Sequence, residues 1–329
     1  MGSKHSIERT PSGSRTRAVP SGRSDSTSPE RSASKAARRT PLRASVLGLL
    51  VCLATPLAVA VDVKGLWDYN RPDASEKRFR AALAGAHENE RHILQTQIAR
   101  TWGMRRDFAQ ARAILATVEP RLSAASAEVR VRYFLELGRT HFSPMHPPEL
   151  QTPESRERAR ASFMQAFELA KEARLDSLAI DALHMMPFVE VDPDRQHEWN
   201  EKALRYIEAS DQADARAWEA ALRNNVGVAK RSKGDHEGAL REFRLSRAAY
   251  ERTGTADDVR IADWMIARTY RDQKRYGEAL DIQLRLEREF DQQGNPDPHV
   301  YAELEQLYRA LGKEDLAQGY ASKRKAAQR

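Results

Sequence analysis

The histidines and carboxylates that could support acid–base or metal chemistry do not converge in this sequence. His87 and His92 are five residues apart, and His141 and His146 flank the start of a proline-rich stretch, so neither pair has the i,i+4 spacing of a metal-binding helix. The segment Asp192-Pro193-Asp194 is typical of a turn with its capping acid. Phosphate-binding and nucleophile motifs such as GxxxxGK, GxGxxG and GxSxG do not occur. We therefore predict a protein that is not an enzyme and uses no metal or cofactor.

Six arginines, two asparagines and a tryptophan form the group with the clearest binding chemistry. An Arg guanidinium can bind a carboxylate through two parallel hydrogen bonds, an Asn amide can hold a peptide backbone, and Trp offers an apolar anchor. The candidate residues are Arg100, Arg139, Asn224, Asn225, Arg231, Trp264, Arg268, Arg271 and Arg309. They indicate a site for an extended peptide, with an acidic segment or a C-terminus as the expected ligand. Alternatively, these arginines are ordinary helix-surface residues that pair with Asp or Glu on the neighbouring repeat.

The candidate residues lie in helices that the sequence arranges in pairs. From Ser75 onward, apolar residues recur at helical spacing, and Gly or Asp marks the breaks between the runs. In the pattern Gly227-x11-Ala239-x3-Phe243, two small residues allow two helices to approach closely, and the Phe243 ring fills the space between them. The intervening Lys233-Gly234-Asp235 predicts a turn in which Gly ends the first helix and Asp opens the second.

The same pattern recurs along the chain at a nearly regular period. The second-helix alanines are residues 111, 159, 239, 279 and 317. The long interval from 159 to 239 accommodates two repeats, and Trp199-x3-Ala203-Leu204 supplies the missing second helix. The predicted units cover about residues 76–122, 128–173, 176–210, 216–253, 257–293 and 298–327. Proline-containing loops are expected at 142–153, within the second unit, and at 187–194, within the third.

These units resemble tetratricopeptide repeats, whose pattern of W-x2-L-G-x2-Y, A-x3-F and P is matched in pieces. The most similar unit holds Asn224-Asn225-Val226-Gly227, Gly234-Asp235 and Ala239-Leu240, and it resembles the longer repeats of kinesin light chains and related bacterial regulators. The resemblance covers residues 90–325, although the third unit is degenerate. It implies an all-α fold, a right-handed α-solenoid of about five to six helix hairpins, whose first helices line a concave groove. The candidate residues would face that groove.

The basic charge of the chain is confined to its N-terminal part. Residues 1–43 hold ten Lys and Arg against three Asp and Glu, residues 44–60 hold no charge, and residues 61–329 hold 44 of each sign. The repeat region therefore has no net charge that would attract nucleic acid or an anionic membrane. Residues 1–43 are rich in Ser and Arg and poor in large apolar residues, so we predict a disordered leader.

The apolar run at residues 44–60 resembles the hydrophobic region of a signal peptide. It ends in Ala58-Val59-Ala60, the small-x-small pattern of a signal-peptidase site, which predicts cleavage after Ala60 and no later membrane insertion. Residues 61–329 would then be exported, and the periplasm is the expected compartment. The alternative is an uncleaved N-terminal anchor that tethers the repeats to a membrane. Cys52, the single cysteine, lies in this run, so the mature chain would form no disulfide.

The predicted function is that of a scaffold for protein–protein interaction. A stack of repeats presents a long concave surface, and the typical use of such a surface is to bind an extended segment of another protein. The expected partner is therefore a protein or peptide and not a nucleic acid. The alternative is an exported sensory module of a signalling system that acts in trans on a ligand or a protein.

Overall fold

The computed structural model describes residues 61–328, which are helical and contain no β-strand. The predicted disordered leader at 1–43, the apolar run at 44–60 and the cleavage site at Ala58 and Ala60 lie outside the described residues. None of the helices between residues 61 and 328 combines the length and the apolar character that crossing a membrane requires.

The helices follow one another with short connections. In chain order they are α1 (Val63–Leu66), α2 (Pro72–Ala82), α3 (Glu88–Met104), α4 (Phe108–Val118), α5 (Ala127–His141), α6 (Pro153–Glu172), α7 (Asp176–Val189), α8 (Pro193–Ala209), α9 (Ala213–Arg216), α10 (Glu219–Ser232), α11 (His236–Thr253), α12 (Ala256–Asp272), α13 (Tyr276–Gln292), α14 (Pro298–Ala310) and α15 (Glu314–Ala327). Short 3₁₀ turns at Leu83–Gly85, Glu119–Arg121 and Pro148–Leu150 complete this part of the chain.

Consecutive helices pack as hairpins, and the hairpins stack on their neighbours in sequence. Within residues 61–328 the pairs are α3–α4, α5–α6, α7–α8, α10–α11, α12–α13 and α14–α15. The second helix of each pair also packs against the first helix of the next pair, and α2 packs against α3 at the start of the stack. The predicted fold class is thereby confirmed: the chain is an all-α, right-handed α-solenoid of six helix hairpins.

Close contact within a hairpin depends on a small residue of the first helix that faces the second helix. A Cβ added to Gly227 would lie 2.6 Å from Cε1 of Phe243, and one added to Gly138 would lie 2.5 Å from Cε1 of Phe163. Both phenylalanine rings are fully buried. Glycine is therefore required wherever a phenylalanine fills the space between the two helices.

Where the small residue is alanine, the facing position holds a side chain other than phenylalanine. Leu115 has this register in α4, four residues after Ala111, and Gln283 has it in α13, four residues after Ala279. Gln283 is fully buried, and neither its Nε2 nor its Oε1 has a hydrogen-bond partner among the residues described. The hairpin α12–α13 therefore carries a buried amide at a position that is apolar in α4, α6 and α11.

The two predicted loops have different outcomes. Residues 142–152 connect α5 to α6 outside any α-helix, as the prolines indicate. The second prediction is wrong in its extent, because Pro187 lies inside α7, which continues to Val189. Only three residues separate α7 from α8, and Asp192 caps α8 by accepting a hydrogen bond from Asp194 N at 3.0 Å. A proline near the end of a helix removes one N–H without ending the helix.

Candidate functional site

A row of side-chain pairs, here called the ladder, joins the first helices of successive hairpins. Each pair consists of the residue just after one helix-packing position and the residue two positions before the next, and these packing positions are Ala99, Gly138, Leu183, Gly227, Ala267 and Glu305. The pairs are Arg100 with Glu136, Arg139 with Asp181, His184 with Asn225, and Arg268 with Glu303. At the step between the last two pairs, Val228 and Met265 belong to one apolar cluster. Trp67 Nε1 donates to Gln97 Oε1 at 2.9 Å and forms the first step of the same row. The ladder thus runs from α3 to α14 along the face formed by the first helices.

The N-terminal part of the ladder is a compact set of four charges, the N-terminal cluster of Arg100, Glu136, Arg139 and Asp181. Arg139 Nη1 lies 2.6 Å from Glu136 Oε1, and Arg100 Nη1 lies 3.3 Å from the same oxygen and 3.7 Å from Asp181 Oδ2. Burial alone would raise the pKa of Asp181, but the guanidinium charges of Arg139 and Arg100 outweigh it and lower that pKa. Two cations therefore neutralise two carboxylates inside the protein.

His184 borders this cluster and stays neutral. Its ring Nδ1 lies 3.3 Å from Nδ2 of Asn225. Burial lowers the pKa of His184 to about 4, and the positive charges of Arg139 and Arg100 act in the same direction, against the opposing effect of Asp181. At neutral pH the imidazole therefore adds no charge to this part of the ladder.

A small cavity opens beside the N-terminal cluster, with a volume of about 60 Å³. Its apolar wall, here called the methionine recess, consists of Tyr69, Met104, Phe108, Met145 and Met185. Met185 and Phe108 are buried, whereas Tyr69, Met104 and Met145 are partly exposed at its mouth. The recess therefore combines an apolar wall with a fully compensated set of charges.

The C-terminal part of the ladder carries one cation more than it has carboxylates. This C-terminal cluster consists of Arg231, Arg268, Arg271, Asp272 and Glu303. Arg231 Nε lies 2.6 Å from Asp272 Oδ2, and Arg271 Nε lies 2.8 Å from Glu303 Oε2. Arg268 Nε lies 3.0 Å from Glu303 Oε1, at an angle that makes the contact an ion pair and not a hydrogen bond. Burial lowers the pKa of Arg268, and the charges of Arg231 and Arg271 lower it further, so this cluster could accept another carboxylate.

All nine residues predicted for the groove lie on first helices, in α3, α5, α10, α12 and α14. Each of the six arginines is paired with a carboxylate, and five of them pair with one on the neighbouring hairpin, as the alternative expects; Arg309 pairs within its own hairpin. Arg309, the most exposed of the six, lies 3.2 Å from Glu305 and 3.7 Å from Glu314. Asn225 contacts His184, whereas Asn224 Oδ1 and Trp264 Nε1 are buried without a hydrogen-bond partner in the described part of the chain. That these residues bind a partner stays a prediction.

Sequence reasoning missed the acidic half of the ladder and the methionine recess. A usable signal existed for the acids, because Glu136 lies two residues before the helix-packing position Gly138. Glu303 likewise lies two residues before the corresponding position, which is twelve residues before Ala317. His184 also lines the cavity. Across residues 61–328, no group of three or more His, Cys, Asp or Glu side chains is arranged to hold a metal ion.

Comparison with known proteins finds similarity in fold and not in sequence. No protein-family model matches, and no curated protein sequence matches. A signal-transduction ATPase with a tetratricopeptide repeat sensor from Pyrococcus horikoshii is similar over 78% of this chain, with a TM-score of 0.58 and 11% identity. This chain covers only 39% of that protein. A Rap protein complexed with Competence and Sporulation Factor is similar over 80% of this chain and 75% of its own, with a TM-score of 0.51 and 14% identity. The fold of this chain is thus that of a tetratricopeptide-like α-solenoid.

Proposed function

We propose that the solenoid is a non-enzymatic scaffold that binds an extended segment of another protein along the ladder face. One observation carries this proposal. Asn224 and Trp264 occupy the same position on consecutive first helices, three residues before Gly227 and Ala267, and each has a buried polar atom without a partner among the described residues. Asn224 Oδ1 is an acceptor and Trp264 Nε1 is a donor, and a peptide backbone supplies the complement of both. Buried polar groups are rarely left unpaired, so a ligand gains affinity when the two side chains turn these covered atoms toward it.

The spacing of the helices fits an extended backbone. Packed helices lie about 8–10 Å apart, and an extended chain advances about 3.3 Å per residue, so one contact on each first helix corresponds to every third ligand residue. Between Asn224 and Trp264, the ladder step is apolar, with Val228 and Met265 in one cluster. The backbone of the ligand can cross this apolar step because no charged side chain there competes for the hydrogen bonds that the backbone makes to Asn224 and Trp264.

The ligand carries a carboxylate, from an acidic side chain or its C-terminus, that binds the C-terminal cluster. Three guanidinium groups share two carboxylates there, and Arg268 stacks over the Trp264 ring at 4.5 Å, beside the backbone site. A ligand carboxylate adds the missing negative charge and can form two parallel hydrogen bonds with one guanidinium. Support also comes from the similarity in fold to the Rap protein, whose structure was solved with Competence and Sporulation Factor bound.

Selection of binding peptides from a random display library, with the full-length chain as bait, tests this function. We expect Trp264→Phe, which removes the indole N–H and keeps an aromatic ring, to lower the affinity for the selected peptides about 5- to 20-fold. This is the effect expected from the loss of one buried hydrogen bond. Trp102→Phe is the matched control, because Trp102 Nε1 is also buried without a partner in the described chain but lies outside the nine-residue groove set. If no peptide is selected, or if both variants bind equally, the proposed function is wrong.

A second function, an exported sensory module that acts in trans, is supported by the similarity to the tetratricopeptide sensor of the ATPase. A sensor changes shape when its ligand binds, whereas a scaffold need not. Small-angle scattering with and without a selected peptide distinguishes the two, because an unchanged radius of gyration excludes a large closure. The proposed export depends on residues 44–60, and N-terminal sequencing of secreted protein that begins at Val61 would support it.

A further inference from the structure

The methionine recess is an apolar wall built from residues that are far apart in the sequence. It is formed by α3, α7, the first residue of α4 and two non-helical segments, because Met104, Met185, Phe108, Tyr69 and Met145 come from different parts of the sequence. Trp67 stacks on Tyr69 with ring centroids 4.7 Å apart and holds that ring in place. Methionine side chains are flexible and polarizable, so a wall that holds three of them adapts to apolar groups of different shape.

Charge complementarity decides what such a recess can accept. In the N-terminal cluster beside it, Arg100 and Arg139 neutralise Glu136 and Asp181. A charged side chain that entered would lose its hydration and find no free counter-charge, which disfavours its binding. An apolar side chain has no such hydration to lose, and its binding is favoured because its surface leaves water.

We propose that the methionine recess is an anchor pocket for one uncharged, apolar side chain of the bound segment. This inference rests on the proposed function, and it predicts how the ligand is oriented along the ladder. The apolar anchor lies at α3–α7, the backbone contacts lie at Asn224 and Trp264, and the carboxylate lies at the C-terminal cluster. A volume of about 60 Å³ fits a short aliphatic side chain. Met104 and Met145 are only partly buried, and because methionine side chains are flexible, the recess can adapt to a larger apolar group.

Methyl NMR of the full-length chain labelled with [methyl-¹³C]methionine tests the pocket directly. The probes are the N-acetyl amides of leucine, phenylalanine, aspartate and lysine. We expect saturable shifts of the Met104, Met145 and Met185 methyl signals with the leucine or phenylalanine amide. Met164 and Met186 lie outside the recess and should stay in place, which makes them internal controls. The inference would be overturned if the aspartate or lysine amide caused shifts as large as those of the apolar amides. It would also be overturned if all methionine signals shifted alike, or if none shifted.

A filled-pocket variant separates this inference from the proposed function. Met104→Trp should lower the affinity for the leucine or phenylalanine amide at least tenfold. Unchanged Met164 and Met186 signals would show that the variant is folded. If selected peptides bind Met104→Trp as tightly as the parent chain but lose affinity with Trp264→Phe, the groove function stands and the anchor pocket is wrong. If the apolar amides bind the recess but no peptide is ever selected, the recess keeps its ligand class and the scaffold function is wrong.

Discussion

The N-terminal and C-terminal clusters use the same arginine–carboxylate pairing, but they differ in burial and in charge balance. Arg139 and Asp181 have side chains that are 11% and 9% exposed, and the N-terminal cluster holds two charges of each sign. Arg268 and Arg271 are 27% and 20% exposed, and their cluster holds three cations against two carboxylates. The arginines alone therefore do not identify a carboxylate site; what matters is whether a cation is left over after the internal pairs are formed.

The largest expected effect comes from removing one carboxylate from each cluster. Asp181→Asn leaves the buried Arg139 without half of its compensation, and breaking a buried pair in this way costs about 3–5 kcal/mol. Asp272→Asn acts on a more exposed pair, where the expected loss is about 1 kcal/mol or less. Urea denaturation of both variants measures the difference. Equal losses would show that the two clusters do not differ in the way their burial indicates.

A pH titration sharpens the comparison, because only the N-terminal cluster contacts a histidine with a strongly lowered pKa. Asp181, Arg139 and Arg100 face His184, whose pKa is about 4 in the folded chain against about 6.5 when unfolded. The unfolded chain therefore binds the proton first, so stability is complete above about pH 6.5 and falls as the pH decreases toward 4. The loss should reach about 1–3 kcal/mol.

His184→Gln provides the control for this titration. Glutamine keeps a polar contact to Asn225 but does not titrate, so this variant should lose less stability between pH 7 and pH 5 than the parent chain. Burial also lowers the pKa of His146, which therefore contributes in the same direction in both proteins. Identical pH profiles for the two proteins would remove His184 as the cause.

The sequence predicts the hairpins well because their signal is local. Gly227, Ala239 and Phe243 lie within one hairpin, and their spacing follows from the geometry of two packed helices. The ladder partners on successive first helices lie 35 to 42 residues apart on hairpins of unequal length, so no fixed period connects Arg139 to Asp181. The methionine recess is even harder to predict from the sequence, because Met145 belongs to a loop. No repeating sequence pattern indicates that Met145 lies next to Met104.

The cores of two hairpins offer a third comparison, between α3–α4 and α12–α13. Gln283→Leu replaces two unpaired buried polar atoms with the side chain that α4 uses at Leu115, so we expect a gain of about 1–2 kcal/mol. The reverse exchange, Leu115→Gln, buries an amide in an apolar site and should cost about 2–4 kcal/mol. Thermal unfolding measures both. A loss of stability in Gln283→Leu would mean that the Gln283 amide forms a stabilising hydrogen bond in the folded chain.

The smallest expected effect is at the turns that end the first helices. Gly234 and Lys274 lie seven residues after Gly227 and Ala267, and both have left-handed backbones, with φ of +82° and +62°. A side chain in this region costs about 1–2 kcal/mol, whereas glycine adds about 0.5–1 kcal/mol of unfolded-state entropy. Lys274→Gly should therefore gain only about 0.5 kcal/mol, while Gly234→Ala should lose about 1 kcal/mol. Denaturant midpoints of the two variants check this asymmetry, and a clear loss in Lys274→Gly would show that the lysine side chain stabilises its turn by a contact that outweighs the strain.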